Sequence, residues 1–297
     1  RAVTRKAFTA AVTRAMVPGS KYDNMLILAG PQGIGKSTLL DKMSRGWFND
    51  SIRTFEGKEA SELLQGVWLV EVSELDAFRR TDVARIKQFL SLRADRFRAA
   101  YGRHVKELPR CCVFFGTTNT SDYLRDRTGN RRFWPVDVGV VPHTKTVWSD
   151  LPEEIDQLWA EAVVRWRAGE PLFLKGELED AAKQKQEEHR EASTREGIIT
   201  DFLERQVPED WPSWPLDRRR MFWGGAVQGE VKLVDRDRVC ALEVWCEALD
   251  GKQKDIRYSD TAEINSIIEA SALWERARGS LRFGYCGKQR GFQKVRL

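Results

Sequence analysis

The chain has 297 residues, of which 41% are hydrophobic and 31% charged, and a formal net charge of +5. This length allows one large or two smaller domains with their own cores, and 11 tryptophans exclude a disordered chain. No apolar run approaches the roughly 20 residues that cross a bilayer, so we expect no membrane partner. Five cysteines without a Cys-x-x-Cys pair are typical of a reduced, cytosolic protein. Because the sequence begins with Arg1 and no signal-peptide pattern follows, we interpret it as a piece of a longer chain.

Helical and strand patterns alternate over the first 120 residues. An apolar stripe over 2–17 predicts a helix, and the unbroken apolar run at 25–29 predicts a strand buried on both faces. Further predicted elements are strands at 67–70 and 111–115, a helix at 82–92 and a hairpin over 96–108 turning near Tyr101-Gly102. Alternation of this kind predicts an α/β fold with a parallel sheet and helices on both faces.

The second half of the chain is predicted to be mainly helical. Helical patterns cover 155–166, 177–195, 239–249 and 260–278, and two short runs, 281–285 and 291–295, can pair around a basic turn. Residues 207–236 are rich in Pro, Trp, Gly and Arg without a clear period. We therefore expect four parts: an ATPase core over 1–140, a helical region completing or flanking it over 141–206, a linker or irregular insertion over 207–236, and a winged helix over 237–297.

The strongest motif is a P-loop, Gly-x4-Gly-Lys-Ser, between the first predicted strand and a helix. Gly33 and Gly35 allow backbone conformations in which successive N–H groups turn towards a phosphate. Lys36 can reach the β- and γ-phosphates of ATP, and Ser37 can ligate Mg²⁺. The predicted nucleotide-binding residues are Gly30, Pro31, Gln32, Gly33, Ile34, Gly35, Lys36, Ser37 and Thr38.

A P-loop needs an acidic residue at the end of a neighbouring strand to hold the metal and polarise the attacking water. The second predicted strand offers Glu71 and Glu74. Strand alternation puts Glu71 on the same face as Ser73, while Glu74 lies just beyond the strand end. We favour Glu74 as the metal-side or base carboxylate and place Glu71 second, because Glu71 is alternatively a surface or helix-facing acid.

Two further groups complete the predicted catalytic set. Asn119 follows the third predicted strand, where an amide can orient water. Arg131 and Arg132 offer paired guanidiniums that can neutralise charge on a γ-phosphoryl group. The alternative for the arginines is a surface pair stacked on Trp134.

Basic residues concentrate between Arg79 and Arg110. Ten basic residues face three acidic ones there, a net charge of +7 that exceeds the charge of the whole chain. A solvated face is one interpretation of this excess, and a polyanionic partner is the other.

Four segments together are more specific than the P-loop: GPQGIGKST, GVWLVEVSELDAF, YGRHVKELPRCCVFFGTTN and RDRTGNRRFWPV. In this order they resemble the virulence-associated protein E family over about residues 5–205. These are P-loop proteins of phages and mobile elements, similar to superfamily 3 helicases attached to primases. The resemblance implies an AAA+-type ATPase core that acts as an oligomeric ring, typically a hexamer, on single-stranded or forked DNA.

The resemblance also implies residue roles. Lys36 and Ser37 match the P-loop; Glu74 matches the acidic second motif, with Ser73 where aspartate is more usual; Asn119 matches the sensor. Arg131 or Arg132 matches the arginine finger that a neighbouring subunit provides, and Arg132 is narrowly preferred. The hairpin between the second and third motifs matches one that lines a DNA channel, and its candidate DNA-binding residues are Arg93, Arg96, Arg98, Arg103, His104 and Lys106.

The predicted function is therefore an ATP-dependent, Mg²⁺-requiring DNA motor, the helicase part of a replication protein from a mobile element. One alternative is a DNA-binding regulator that ATP switches and whose winged helix recognises DNA. A second alternative, a P-loop kinase for small molecules, would need an acceptor pocket and a lid, and the Arg131–Arg132 segment fits an inter-subunit finger better.

Overall fold

The computed structural model describes residues 1–75, 80–98, 103–124, 130–190, 193–226 and 231–295, with backbone alone at 80–82. The chain divides into two compact units, Arg1–Glu191 and Ala192–Leu297. The predicted hairpin turn at Tyr101-Gly102 lies outside the described residues. No helix in the described ranges is both long enough and apolar enough to cross a membrane.

The first unit is an α/β domain. Its helices are α1 (Ala2–Met16), α2 (Lys36–Ser44), α3 (Gly57–Glu62), α4 (Arg80–Leu90), α5 (Leu151–Arg167) and α6 (Glu177–Glu188). Its strands are β1 (Met25–Ala29), β2 (Phe48–Asn49), β3 (Leu69–Val72), β4 (Ala94–Phe97), β5 (Lys106–Pro109), β6 (Val113–Thr118) and β7 (Phe133–Asp137). Five of them form a parallel sheet in the order β2-β3-β6-β1-β7. The predicted α/β fold with a parallel sheet is confirmed.

The sheet has a hydrophobic core on each face. All five residues of β1 are buried, as expected for a central parallel strand that helices cover on both sides. Alternation sends Met25 and Ile27 into one core and Leu26 and Leu28 into the other. The carboxyl ends of β1, β3 and β6 meet at one edge, where the P-loop begins.

Strand β7 was not among the predicted elements. Pro135 removes a backbone donor and argues against a central strand, but proline is tolerated at a sheet edge. β7 is such an edge strand and pairs only with β1 in the sheet order, from Met25↔Phe133 to Ala29↔Asp137.

The predicted basic hairpin is observed as the antiparallel pair β4–β5, with Ala94 opposite Pro109 and Phe97 opposite Lys106. A buried ion pair anchors its base: Arg110 donates to both oxygens of Asp95 over 2.8 and 2.7 Å. Since Arg110 lies three residues before β6, the hairpin leaves the sheet at the amino ends of the strands.

The second unit combines helices with a small antiparallel sheet. Its helices are α7 (Thr194–Glu204), α8 (Leu216–Trp223), α9 (Ala241–Glu243), which continues as a π-helical turn over Val244–Ala248, and α10 (Tyr258–Ala270). Its strands are β8 (Val207–Pro208), β9 (Leu233–Val234), β10 (Arg238–Val239), β11 (Trp274–Arg282) and β12 (Lys288–Lys294). β8 pairs with β9, and the others form a sheet in the order β10-β12-β11. The final predicted helix ends at Ala270 and not at residue 278, because the chain enters β11.

The described residues of 207–236, which we expected to be a linker or an irregular insertion, are a packed part of the second unit. Trp211 and Trp214 are buried, and the buried Arg219 guanidinium bonds to Glu243 and Glu247. α7, which we expected to flank the ATPase core, contributes Phe202 to the core of this unit. The tryptophans pack from turns and not from one helical stripe, so their sequence spacing carries no period.

Candidate functional site

The P-loop connects β1 to α2 with the backbone that its glycines predict. Gly33 and Gly35 have φ angles of +81° and +90°, in the left-handed region that favours glycine. A Cβ atom on Gly35 would lie 2.4 Å from Val147 Cγ2, so the packing also requires glycine there. The loop borders a cleft of about 290 Å³, the P-loop cleft, lined by Gln32, Gly33, Gly35, Lys36, Ser37, Thr38, Ser73, Glu74, Thr117, Thr118, Asn119 and Trp148.

Three oxygens hold the Lys36 ammonium inside this cleft. Nζ donates to the carbonyls of Gly30 and Pro31 over 2.7 and 2.8 Å and to Asn119 Oδ1 over 2.9 Å. Burial lowers the pKa of Lys36, and the Glu71 carboxylate opposes that shift. Lys36 and Asn119, 83 residues apart in sequence, are therefore in direct contact.

The acid that contacts the P-loop hydroxyl is Glu71. Its Oε1 accepts hydrogen bonds from Ser37 Oγ over 2.8 Å and from Thr117 Oγ1 over 2.5 Å. Only 1% of Glu71 is exposed, so the alternative of a surface acid is wrong. Hydroxyl and carboxylate oxygens are the hard donors that Mg²⁺ prefers, and Ser37 with Glu71 fits such an ion.

Glu74 lies in the same cleft but in a different setting. It follows the end of β3, is exposed, and has a φ angle of +54°. A non-glycine residue in this region is uncommon and costs about 1–3 kcal/mol, which is typical of functional sites. Glu74 therefore lines the cleft and is exposed to solvent, whereas Glu71 is buried beside the cleft against Ser37.

Arg131 and Arg132 lie at the opposite edge of the sheet. They precede Phe133, which pairs with Met25, whereas the P-loop follows Ala29, at the other end of the same strand. Five strand residues separate the two positions by about 16 Å. Neither guanidinium reaches the P-loop cleft of its own chain.

The two arginines have different surroundings. Arg132 Nε donates to Ser91 Oγ over 3.2 Å and lies 3.6 Å from Asp23 Oδ2. The Arg131 side chain is exposed and has no ion pair within the described ranges. Stacking on Trp134, the alternative interpretation, is seen for neither arginine in the part of the chain that the structure describes.

The candidate DNA-binding residues are spread over the β4–β5 hairpin. Arg93 donates to the Gly19 carbonyl over 2.8 Å, and Arg96 pairs with Glu107 over 3.3 Å. Acids therefore offset part of the basic excess, as they also do at the buried Arg110. The remaining candidates are exposed beside the hairpin turn: Arg98, Arg103, His104 and Lys106.

Three residues of the site were missing from the sequence prediction. Thr117 bonds to Glu71, and Trp148, which is 55% exposed, lines the P-loop cleft. The ring nitrogens of buried His189 lie 2.7 Å from the Ser121 carbonyl oxygen and 2.9 Å from Asp137 Oδ1. His189 thus ties the end of α6 to the loop after Asn119. No local pattern marks Trp148 or His189, because both arrive from distant segments.

Residues 1–191 match the model of the virulence-associated protein E-like domain. The chain belongs to this family. The match ends where the first compact unit ends, so the family resemblance is confirmed and the second unit lies beyond the matched residues. The VapE-like unit is thus an α/β P-loop domain whose loop binds nucleotide phosphates.

Solved structures of the C-terminal region of NrS-1 are similar to this chain. An A-form apo structure of residues 305–718 shares 12% identity at a TM-score of 0.45, covering 99% of this chain and 71% of that one. A second apo structure of the same region shares 14% identity at a TM-score of 0.42, with the same coverage. A comparison with curated proteins finds no significant match.

Proposed function

We propose that this VapE-like chain is a Mg²⁺-dependent ATPase that drives a DNA motor, with helicase activity, in an oligomeric AAA+-type ring. The observation that carries the proposal is that Lys36, Asn119 and Glu74 line one cleft, and that buried Glu71 accepts a hydrogen bond from Ser37 of the same cleft. The carboxyl-end edge of the sheet thus brings together the Lys36 ammonium for the phosphates, hydroxyl and carboxylate oxygens for a metal, and the Asn119 amide for water.

The buried acid, Glu71, and the exposed acid, Glu74, have different functions in this proposal. Ser37 and Glu71 would hold Mg²⁺, which when bound supplies positive charge to the phosphate oxygens. Glu74 is exposed to solvent in the cleft, so its carboxylate can accept a proton from the attacking water. Asn119 orients that water, while Lys36 moves from its carbonyl partners to the β- and γ-phosphates.

Trp148 provides a surface for the nucleotide base. β3 and β6, which carry the acids and Asn119, lie on one side of β1, while the segment that follows β7 lies on the other. Trp148 belongs to that second side, and its ring lies 3.4 Å from the Cβ position of Gly35. A nucleotide with its γ-phosphate near Glu74 therefore directs its base towards this indole, where stacking contributes about 1–3 kcal/mol.

The arginine finger acts in trans in this proposal. A guanidinium at the amino ends of the strands cannot serve the cleft at the carboxyl ends of the same subunit, which supports donation to a neighbour's cleft in a ring. The exposed Arg131 fits this role better than Arg132, whose side chain is engaged with Ser91 and Asp23. The proposed ring is a hexamer.

Two elements support a DNA partner, single-stranded or forked. The β4–β5 hairpin exposes cations beside its turn. In the second unit, the order α7-β10-α9-α10-β11-β12, which leaves out β8, α8 and β9, and the sheet order β10-β12-β11 support a winged helix. We propose that it extends over 194–295 and that 207–236 is an insertion after its first helix.

The winged-helix order also favours a second candidate, a DNA-binding regulator that ATP only switches. Turnover separates the two functions. The motor hydrolyses ATP faster with single-stranded DNA, and its native mass rises to that of a ring with an ATP analogue and DNA. A slow rate that DNA leaves unchanged would favour the regulator; Lys36→Ala is the control for contaminating ATPase.

A further inference from the structure

The hairpin of the second unit, β11–β12, has a charge equal to that of the whole chain. Residues 274–294 contain six basic residues and one acid, a net charge of +5. Acids outside the hairpin offset two of the basic residues: Arg276 pairs with Glu269, and Lys294 pairs with Asp235. The remaining four cations have no ion pair among the residues that the structure describes: Arg278, Arg282, Lys288 and Arg290.

Three of these cations share one face of the hairpin, which we call the wing face. Arg282 lies directly opposite Lys288, and Arg290 lies opposite Ser280, two residues away on the same side. Like charges directly opposite one another repel and destabilise a strand pair. These like charges lie at an exposed surface without a compensating acid among the described residues. An anionic ligand outside the chain would relieve their repulsion.

The hairpin is held firmly enough to present that face. Phe292 and Trp274 are buried in the core of the second unit, and Phe283 is buried at the turn. Strand alternation puts Phe292 on the same side of β12 as Lys288 and Arg290, so this side is packed at Phe292 and exposes its cations nearer the turn. Fixed cations at about strand spacing suit a run of phosphates better than a single small anion.

Helix α10 has the opposite charge. In a winged helix the second helix of the helix-turn-helix reads bases in the major groove, and α10 holds that position. Its charged residues are Asp260, Glu263 and Glu269, without one Lys or Arg. Arg195 on α7 offsets two of these acids. A helix of this composition is repelled by the phosphates that line a groove.

We propose that the second unit binds the phosphate backbone of DNA through the wing face, and that α10 does not read bases. Binding by this surface is independent of base sequence. The inference rests on the DNA partner of the proposed function and assigns that partner a second contact, on the unit outside the family match.

The test measures DNA affinity of the full chain on two unrelated 30-base-pair duplexes over a range of salt. The variant is Arg282→Ala/Lys288→Ala/Arg290→Ala. Its control, Arg238→Ala/Arg276→Ala/Lys294→Ala, removes the same charge from ion-paired positions of the same sheet. A further variant, Tyr258→Ala/Ser259→Ala, alters the exposed start of α10.

The wing-face variant should lose at least about 10-fold in affinity at 0.1 M salt, equally on both duplexes, and its log–log salt slope should fall by up to about 2.7. The control and the α10 variant should keep the parent affinity. An unchanged slope in the wing-face variant, or an equal loss in the control, overturns the proposal. Loss of sequence preference in the α10 variant overturns its second half. A parent chain that binds no DNA contradicts the proposed function as well, whereas a parent that binds normally while the wing-face variant is unaffected contradicts this inference alone.

Discussion

Ser37 Oγ donates a hydrogen bond to Glu71 Oε1 over 2.8 Å, and this contact joins the P-loop to β3, the strand that contains Glu71 and that Glu74 follows. Thr117 donates to the same oxygen from β6. Three neighbouring strands of the sheet order thus meet at one buried carboxylate. The two acids that the sequence could not distinguish therefore differ in their surroundings, because Glu71 is buried against Ser37 Oγ while Glu74 is exposed to solvent.

The first prediction separates these acids. Glu74→Gln should bind ATP with the parent affinity and lose turnover at least about 100-fold, because an amide cannot accept the proton of the attacking water. Glu71→Gln should weaken Mg²⁺-dependent nucleotide binding, because it replaces a carboxylate beside Ser37. Titration of Mg²⁺ at fixed ATP, read by binding and by phosphate release, distinguishes the two.

Asp217→Asn, which neutralises an acid of the second unit, is the control. If Glu74→Gln hydrolyses ATP at the parent rate while Glu71→Gln does not, the roles assigned to the two acids are reversed.

The P-loop and the central strands were predictable because their signals are local. Met25–Ala29 is apolar at every position, and Gly33 and Gly35 precede Lys36 at fixed spacing. The partner of Ser37 was not predictable. Alternation placed Glu71 on a face of the strand, but which face turns towards the P-loop depends on how β3 and β6 pack beside β1.

Edge and aromatic elements were harder to predict for a different reason. β7 contains Pro135 and is only five residues long, so its pattern resembles a loop. Trp211 and Trp214 pack from turns in a cluster without helical spacing. In both places the decisive contacts are with distant segments, and these contacts override the local pattern.

A second prediction concerns the base of the nucleotide. Trp148→Ala should weaken ATP binding by about 5- to 150-fold, the loss expected for one stacked base, and should leave binding of inorganic tripolyphosphate unchanged. Competition against a fluorescent nucleotide measures both constants. Trp47→Ala is the matched control, since Trp47 is 58% exposed and Trp148 55%. Equal losses for ATP and tripolyphosphate would show that Trp148 only supports the P-loop.

A third prediction concerns the stability of the second unit. Arg219→Met leaves Glu243 and Glu247 buried without their shared cation, which should cost about 3–5 kcal/mol. Burial raises the pKa of Glu243 above its ordinary value of 4.5, as does the neighbouring Glu247, while Arg236 and Arg219 oppose these effects. A raised carboxyl pKa means that the folded state binds more protons, so the stability deficit of the variant should shrink as the pH falls from 7 towards 4.5.

Urea unfolding at several pH values, followed by tryptophan fluorescence, measures this effect. Arg218→Met is the control, because Arg218, the residue before Arg219, is exposed and lies over the Trp214 ring. A deficit that stays constant with pH would mean that lost packing, and not uncompensated charge, destabilises the variant.

A fourth prediction tests the β4–β5 hairpin. Arg103→Ala/Lys106→Ala should weaken DNA binding equally for all sequences and flatten its salt dependence by about 0.9 per lost phosphate contact, or about 0.7 on single strands. Basal ATPase should stay at the parent rate. Lys58→Ala/Lys183→Ala removes two exposed cations elsewhere on the first unit as a control. Unchanged DNA affinity in the hairpin variant would show that the basic residues of the hairpin form only a solvated surface.

The last prediction concerns the arginine finger. Arg131→Ala should lower ATPase by about 10³- to 10⁵-fold, the contribution of an arginine finger, without loss of folding stability, because its side chain is exposed. Arg132→Ala should also destabilise the first unit, since it removes the contacts with Ser91 and Asp23. Arg167→Ala, at another exposed arginine, should keep both activity and stability.

Mixing shows whether the finger acts in trans. Lys36→Ala subunits, which lack a working P-loop but keep the finger, are titrated into inactive Arg131→Ala subunits. In a trans arrangement some interfaces of a mixed ring join an intact P-loop to an intact arginine, so activity rises and then falls with the ratio of the two. Subunit exchange is verified by native mass. If ATPase activity does not recover at any ratio although subunits exchange, the trans role is contradicted. Recovery of activity in a mixture whose subunits do not assemble would contradict it as well.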